Sequence, residues 1–249
     1  MAGAVVLAGL VAWLVTADRM AGMDAGPGTD LGGLAWFAGA WTTMMAAMMF
    51  PSVAPTVKLF ARTAGTFASA PFLAGYLAVW TGFGGVAYGL DRVVVALDLG
   101  WLEWDRGGPY VAGAAIAAAG VYEITPLKAV CLRHCRSPMH FLLARWRPGA
   151  AGAFMMGARH GAWCAGCCGA LMVVLFATGV MSLFWMIAIA LVISAEKLLR
   201  QARGVTRVVA IGLIALGLLV AFAPQRVPQL TEPRSMTMDQ GQTTHDGPP

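Results

Sequence analysis

His160-Gly-Ala-Trp-Cys164-Ala-Gly-Cys167-Cys168-Gly-Ala-Leu-Met-Val-Val-Leu-Phe-Ala-Thr178 runs for 19 residues without an aspartate, glutamate, lysine or arginine. As a helix it would be about 28 Å long, close to the hydrocarbon thickness of a bilayer. It shows no period-2 alternation, so it does not read as a strand of a membrane barrel. The stretch predicts a transmembrane helix, and the rest of the chain agrees with it. Of 249 residues, 59% are hydrophobic and 12% charged, with a mean hydropathy of +0.70. That is too apolar for a soluble domain of this size. The expected fold is all-α, a polytopic transmembrane helix bundle whose first partner is the lipid bilayer.

The same stretch carries chemistry. It holds three of the five cysteines and one of the four histidines. At about 100° per residue, His160, Cys164 and Cys167 fall within roughly 60° of one another, and Cys168 borders that stripe. Thiolates with an imidazole suit Cu(I) or Zn(II). Cysteine also packs as a small hydrophobe in buried helices, so spacing alone leaves both readings open.

Working outward, residues 136–159 carry Arg136, Arg145, Arg147 and Arg159 without an acid, interleaved with Phe141, Leu142, Leu143 and Trp146. A basic, partly amphipathic segment of this kind is expected on the membrane surface. Before it, Cys131-Leu-Arg-His134-Cys135 places Cys131, His134 and Cys135 at i, i+3 and i+4, a second soft-ligand cluster on one helical face. Glu123 lies within the apolar run 109–130, where Tyr122-Glu-Ile-Thr-Pro126 breaks the pattern. A carboxylate there is costly and marks either a functional position inside the bundle or an inner-boundary acid paired to Lys128 or Arg133. Residues 34–57 contain Met44, Met45, Met48 and Met49 as two i,i+4 pairs, with Met45 and Met49 candidates for a thioether path and plain packing the alternative. Pro51 and Pro55 follow at its inner end.

Seven apolar runs emerge, at 2–17, 34–57, 71–97, 109–130, 160–178, 183–195 and 208–223; the count is six if the first is a cleaved signal. Residues 1–223 therefore form one transmembrane domain. The tail 224–249, rich in Pro, Gln, Thr and Gly, is expected to be disordered and extracytoplasmic. Segments 58–70, 128–159 and 196–207 hold 12 of the 17 lysines and arginines. The positive-inside rule puts these segments in the cytoplasm, with Lys58, Arg145 and Arg203, and puts Asp24, Glu103 and the tail outside. Trp101 and Trp104 fit the outer headgroup belt. Both cysteine clusters and Glu123 then converge near the inner side of the membrane.

Met44-Met45-Ala-Ala-Met48-Met49-Phe-Pro51, Tyr122-Glu123-Ile-Thr-Pro126-Leu-Lys128 with Cys131-Leu-Arg-His-Cys135-Arg136-Ser-Pro138, Gly161-Ala-Trp-Cys164-Ala-Gly-Cys167-Cys168, and Trp185-Met186 through Glu196-Lys197 occur in that order. Over residues 34–200 the chain resembles a bacterial family of predicted metal-binding integral membrane proteins of unknown function. The resemblance implies a multi-pass protein of the bacterial inner membrane with a metal site, and it supplies no reaction.

The leading functional expectation is binding of a soft transition metal, copper(I) with zinc as the alternative, for transport or for delivery to a metal-requiring membrane or extracytoplasmic enzyme. The candidate ligands are Cys164, Cys167, His160, Cys131, Cys135, Cys168, Glu123, Met45, Met49 and His134. Two other classes stand beside it: a membrane enzyme that uses Cys164 and Cys167 as a redox pair or a catalytic metal, and a scaffold subunit of a membrane oxidase. No Gly-x4-Gly-Lys-Ser/Thr loop is present to drive transport by ATP. The formal charge of +5 sits in short segments between apolar runs, a topology signal rather than a nucleic-acid surface.

Overall fold

In a lipid interior every backbone N–H and C=O must be paired within its own segment, so uncharged runs of Ala, Leu, Val and Met propagate as helix. The computed structural model describes residues 2–20, 31–98, 106–137, 146–179, 182–199 and 202–227. They form α1 (Ala2–Met20), α2 (Leu34–Ala64), α3 (Ser69–Ala96), α4 (Gly108–Glu123), α5 (Pro126–Arg136), α6 (Gly149–Thr178), α7 (Leu183–Leu198) and α8 (Ala202–Phe222). The fold is all-α, as expected.

The span count differs from the sequence reading. Among the described residues five helices, α1, α2, α3, α6 and the Gly204–Phe222 part of α8, are long and apolar enough to cross a membrane. A sixth crossing results if α4 and α5 are one broken span. The expected span that falls short is the sixth, 183–195, which is α7: its 16 residues reach only about 24 Å. The run 109–130 is not one helix either, because the chain bends by 65° between α4 and α5. Thr125 caps the break: its hydroxyl donates to the Tyr122 carbonyl at 2.7 Å and accepts from the Lys128 N–H at 3.3 Å, at the start of α5. Pro126, at the first turn of α5, has no N–H to continue α4.

Charged residues at the basic end are more helical than expected. α2 runs on past Pro51 and Pro55 to Ala64, so Lys58 and Arg62 lie in its last turns and not in a loop. α6 starts at Gly149, so residues 149–159 extend the Cys164 helix instead of lying along the surface, and Trp146 before it meets Phe60 of α2 with ring centres 5.9 Å apart. Beyond α8, Pro224–Arg226 form a 3-10 turn and Val227 is buried. Expectations about Asp24, Trp101, Glu103, Trp104, Phe141, Leu142, Leu143, Arg145 and the tail from residue 228 lie outside the described residues, as does the side chain of Arg203.

α2 and α6 are the interior helices; α1, α3 and α8 turn most of their surface outward. α3 packs on α6 at backbone contact, through Gly75 and the pair Gly157 and Gly161. A Cβ at Gly157 would overlap the Phe72 carbonyl, and one at Gly75 would overlap the Phe154 carbonyl. The small-x3-small spacing lets the two backbones meet, and that brings Tyr76 of α3 against Cys164 of α6.

Candidate metal centre

Cys164 and Cys168 are an i,i+4 pair on α6 and Cys167 lies between them, so the three thiols enter one groove between α6 and its neighbours. All three are buried, and their sulfurs lie within 4.8 Å of one another. Cys167 Sγ is 3.2 Å from Cys168 Sγ and donates to the Cys164 carbonyl at 3.3 Å. A fourth thiol arrives from α5. Cys135 Sγ is 3.6 Å from Cys167 Sγ. All five cysteines are free thiols. Three or four sulfurs in a space closed to water are a donor set that one soft ion can bridge.

Two polar groups meet Cys164. The Tyr76 hydroxyl is 3.0 Å from its sulfur, and Lys197 at the end of α7 donates to the same sulfur at 3.0 Å. Lys197 Nζ also lies 3.3 Å from the Ser52 hydroxyl, which donates to the Met49 carbonyl at 2.9 Å. A continuous path of hydrogen bonds thus joins the methionine turn of α2 to Cys164. Met44, Met45, Met48 and Met49 are all buried, because α2 is enclosed by α1, α3 and α7.

Of the other candidates, His160 is buried one turn before Cys164, its ring centre 6.1 Å from that of Phe72 and 6.0 Å from that of Tyr76. Cys131 is buried against Gly166 of α6, where an added Cβ would come within 2.7 Å of its sulfur. The adjacent Tyr122 hydroxyl donates to the Gly166 carbonyl at 2.5 Å, so the α4 end and Cys131 are keyed to the same turn of α6. His134 points elsewhere: it stacks on Trp163 at 4.0 Å, and its Nδ1 lies 2.9 Å from the Val130 carbonyl. Glu123 is buried and paired to Lys128, which also bonds Glu196 at 2.7 Å. The structure thus joins the two readings of Glu123, an interior carboxylate whose partner is Lys128.

The geometry gathers Cys164, Cys167, Cys168 and Cys135, keeps His160 and Cys131 beside them, and turns His134 and Glu123 to other partners. Cys168 is a full member of the cluster, although its position on the helical wheel put it at the border of the stripe. A family model described as PpoB2, copper chaperone, matches residues 38–220. The chain belongs to the PpoB2 copper chaperone family. The match spans α3 to α7, which carry the thiols and their neighbours Tyr76 and Lys197, and copper is among the metals that soft thiol donors suit. No curated protein and no solved structure matches the chain.

Lys197, Tyr76 and Ser52 were missed by sequence reasoning. Lys197 had a visible signal: Glu196-Lys197 is a charged pair at the end of an apolar run, and it reads as a span boundary. In the fold the two side chains diverge, Glu196 to Lys128 and Lys197 to Cys164. Tyr76 and Ser52 lie in apolar runs with no local mark.

Proposed function

We propose that this copper chaperone family member is a Cu(I) carrier of the bacterial inner membrane. It holds its cargo on Cys164, Cys167 and Cys168 with Cys135 as a fourth thiol, and hands it to a metal-requiring membrane or extracytoplasmic enzyme. The observation that carries this reading is the close approach of three buried sulfurs. Four thiols alone would also suit zinc. The buried methionine turn of α2, whose Met49 backbone carbonyl is linked through Ser52 to Lys197, offers thioethers on the same side of the bundle, and thioethers favour Cu(I). Met45 and Met49 are then stations on the cargo's route, and His160 flanks the centre on its basic side.

The positive-inside distribution puts the thiol end of the bundle toward the cytoplasm, where reduced thiols and Cu(I) persist. Thiol redox chemistry is the second reading, and Cys135 with Cys167, on different helices 3.6 Å apart, is the pair it would use.

Anaerobic titration of the detergent-solubilised protein against a chromophoric Cu(I) chelator tests the carrier reading. One Cu(I) per chain is expected. Cys164→Ser, Cys167→Ser and Cys168→Ser should each weaken binding by more than the roughly 10–100-fold typical of an outer-sphere partner. Wild-type affinity in all three variants would refute it, and a two-electron thiol couple lost in Cys135→Ser would instead favour redox chemistry.

A further inference from the structure

A cavity of about 510 Å³ opens between the α4–α5 bend and the start of α8. Its walls are apolar, from Ile124, Ala129, Val130 and Leu132, and Arg133, Arg136 and Arg207 stand at it. Among the described residues Glu123 is the one acid lining it, and its carboxylate is bound to Lys128, so the three guanidiniums set the sign of the field. Arg136 also donates to the Leu199 carbonyl, which holds it between α5 and α7. Ile124 and Leu127, each 61% exposed, and Ile211, 69% exposed and one turn beyond Arg207 on the same face of α8, continue the apolar wall outward. Arg207 is the last charge before the uncharged remainder of α8, so the guanidiniums lie where apolar helix gives way to charged chain.

We propose that this cleft binds an anionic phospholipid, its phosphate on Arg133, Arg136 and Arg207 and its acyl chains along Ile124, Leu127 and Ile211. An apolar wall ending in guanidiniums complements an amphiphile with a negative head, and arginine's planar fork matches phosphate oxygens. A zwitterionic head would bring a cation to a cluster that already carries three. The site is independent of the copper reading, since it uses none of the thiols.

Thermal unfolding of the full chain in neutral detergent, with phosphatidylglycerol, phosphatidylcholine or inorganic phosphate added, tests this. Phosphatidylglycerol should raise the midpoint by about 5 °C, while phosphatidylcholine and phosphate leave it within about 1 °C. Arg133→Gln with Arg207→Gln should abolish the rise, and Arg62→Gln, on the basic end but outside the cleft, should keep it. Each single variant should retain part of the rise, which decides the matter if the double variant does not fold. An equal rise with phosphatidylcholine or with phosphate alone, loss of the rise in Arg62→Gln, or its full retention in the arginine variants would overturn the proposal.

Discussion

Cys164 is where three kinds of interaction meet: the sulfurs of its own helix, the Tyr76 hydroxyl, and the Lys197 ammonium at 3.0 Å. If Lys197 offsets part of the charge of the thiolates holding Cu(I), Lys197→Met should weaken Cu(I) binding by about 10–100-fold without changing the stoichiometry, as measured by chelator competition. An unchanged affinity would remove Lys197 from the site. Because each thiol ligand must lose a proton, affinity should also fall with pH, by about one decade per unit per thiol below the thiol range. That slope should be shallower in Cys168→Ser than in wild type. The i,i+3 and i,i+4 spacings made Cys164, Cys167 and Cys135 legible as candidate ligands from the chain alone. The contact of Cys168 with Cys167 was not legible, because a helical wheel records where a Cβ points and not where a sulfur can swing. Lys197 was hidden for a different reason: its partner is 33 positions away on another helix, and only the packing of α7 makes the pair.

The α4–α5 bend is the element on which the bundle's buried charges depend. Lys128, at the start of α5, reaches both Glu123 at the end of α4 and Glu196 on α7, which ties three helices together. Removing Lys128 leaves two buried carboxylates facing each other, so Lys128→Met should destabilise the protein by about 3–5 kcal/mol. Glu123→Gln leaves Lys128 paired with Glu196 and should cost less; equal losses in thermal or denaturant unfolding would contradict the shared role. Gly166 gives a second test of how α5 docks. Gly166→Ala should destabilise, because its Cβ meets Cys131, and Cys131→Ala should relieve part of that cost in a double-mutant cycle. Tyr122 to Pro126 was legible as a break because proline and threonine punctuate an apolar run. The 65° turn was not, since it is set by where α5 finds α6 and α7 to pack on.

At the scale of the whole molecule, apolar runs gave away the helical bundle, while the number of crossings depended on helix lengths that charge boundaries marked poorly. Lys58, Arg62 and Arg159 all proved to lie within helices. The orientation is open to direct test: Glu103→Cys should react with an impermeant thiol reagent added outside intact cells and Lys58→Cys should not, and the opposite pattern would invert the topology. The central claim concerns the cargo and what holds it, and X-ray absorption at the copper edge reads both. Loaded with Cu(I), the wild-type protein should show a coordination shell of sulfur alone, and a Cys164→Ser, Cys167→Ser, Cys168→Ser triple variant should lose both that shell and the copper. A wild-type shell of nitrogen and oxygen, or an unchanged sulfur shell in the triple variant, would contradict the assignment of copper to the α6 thiols.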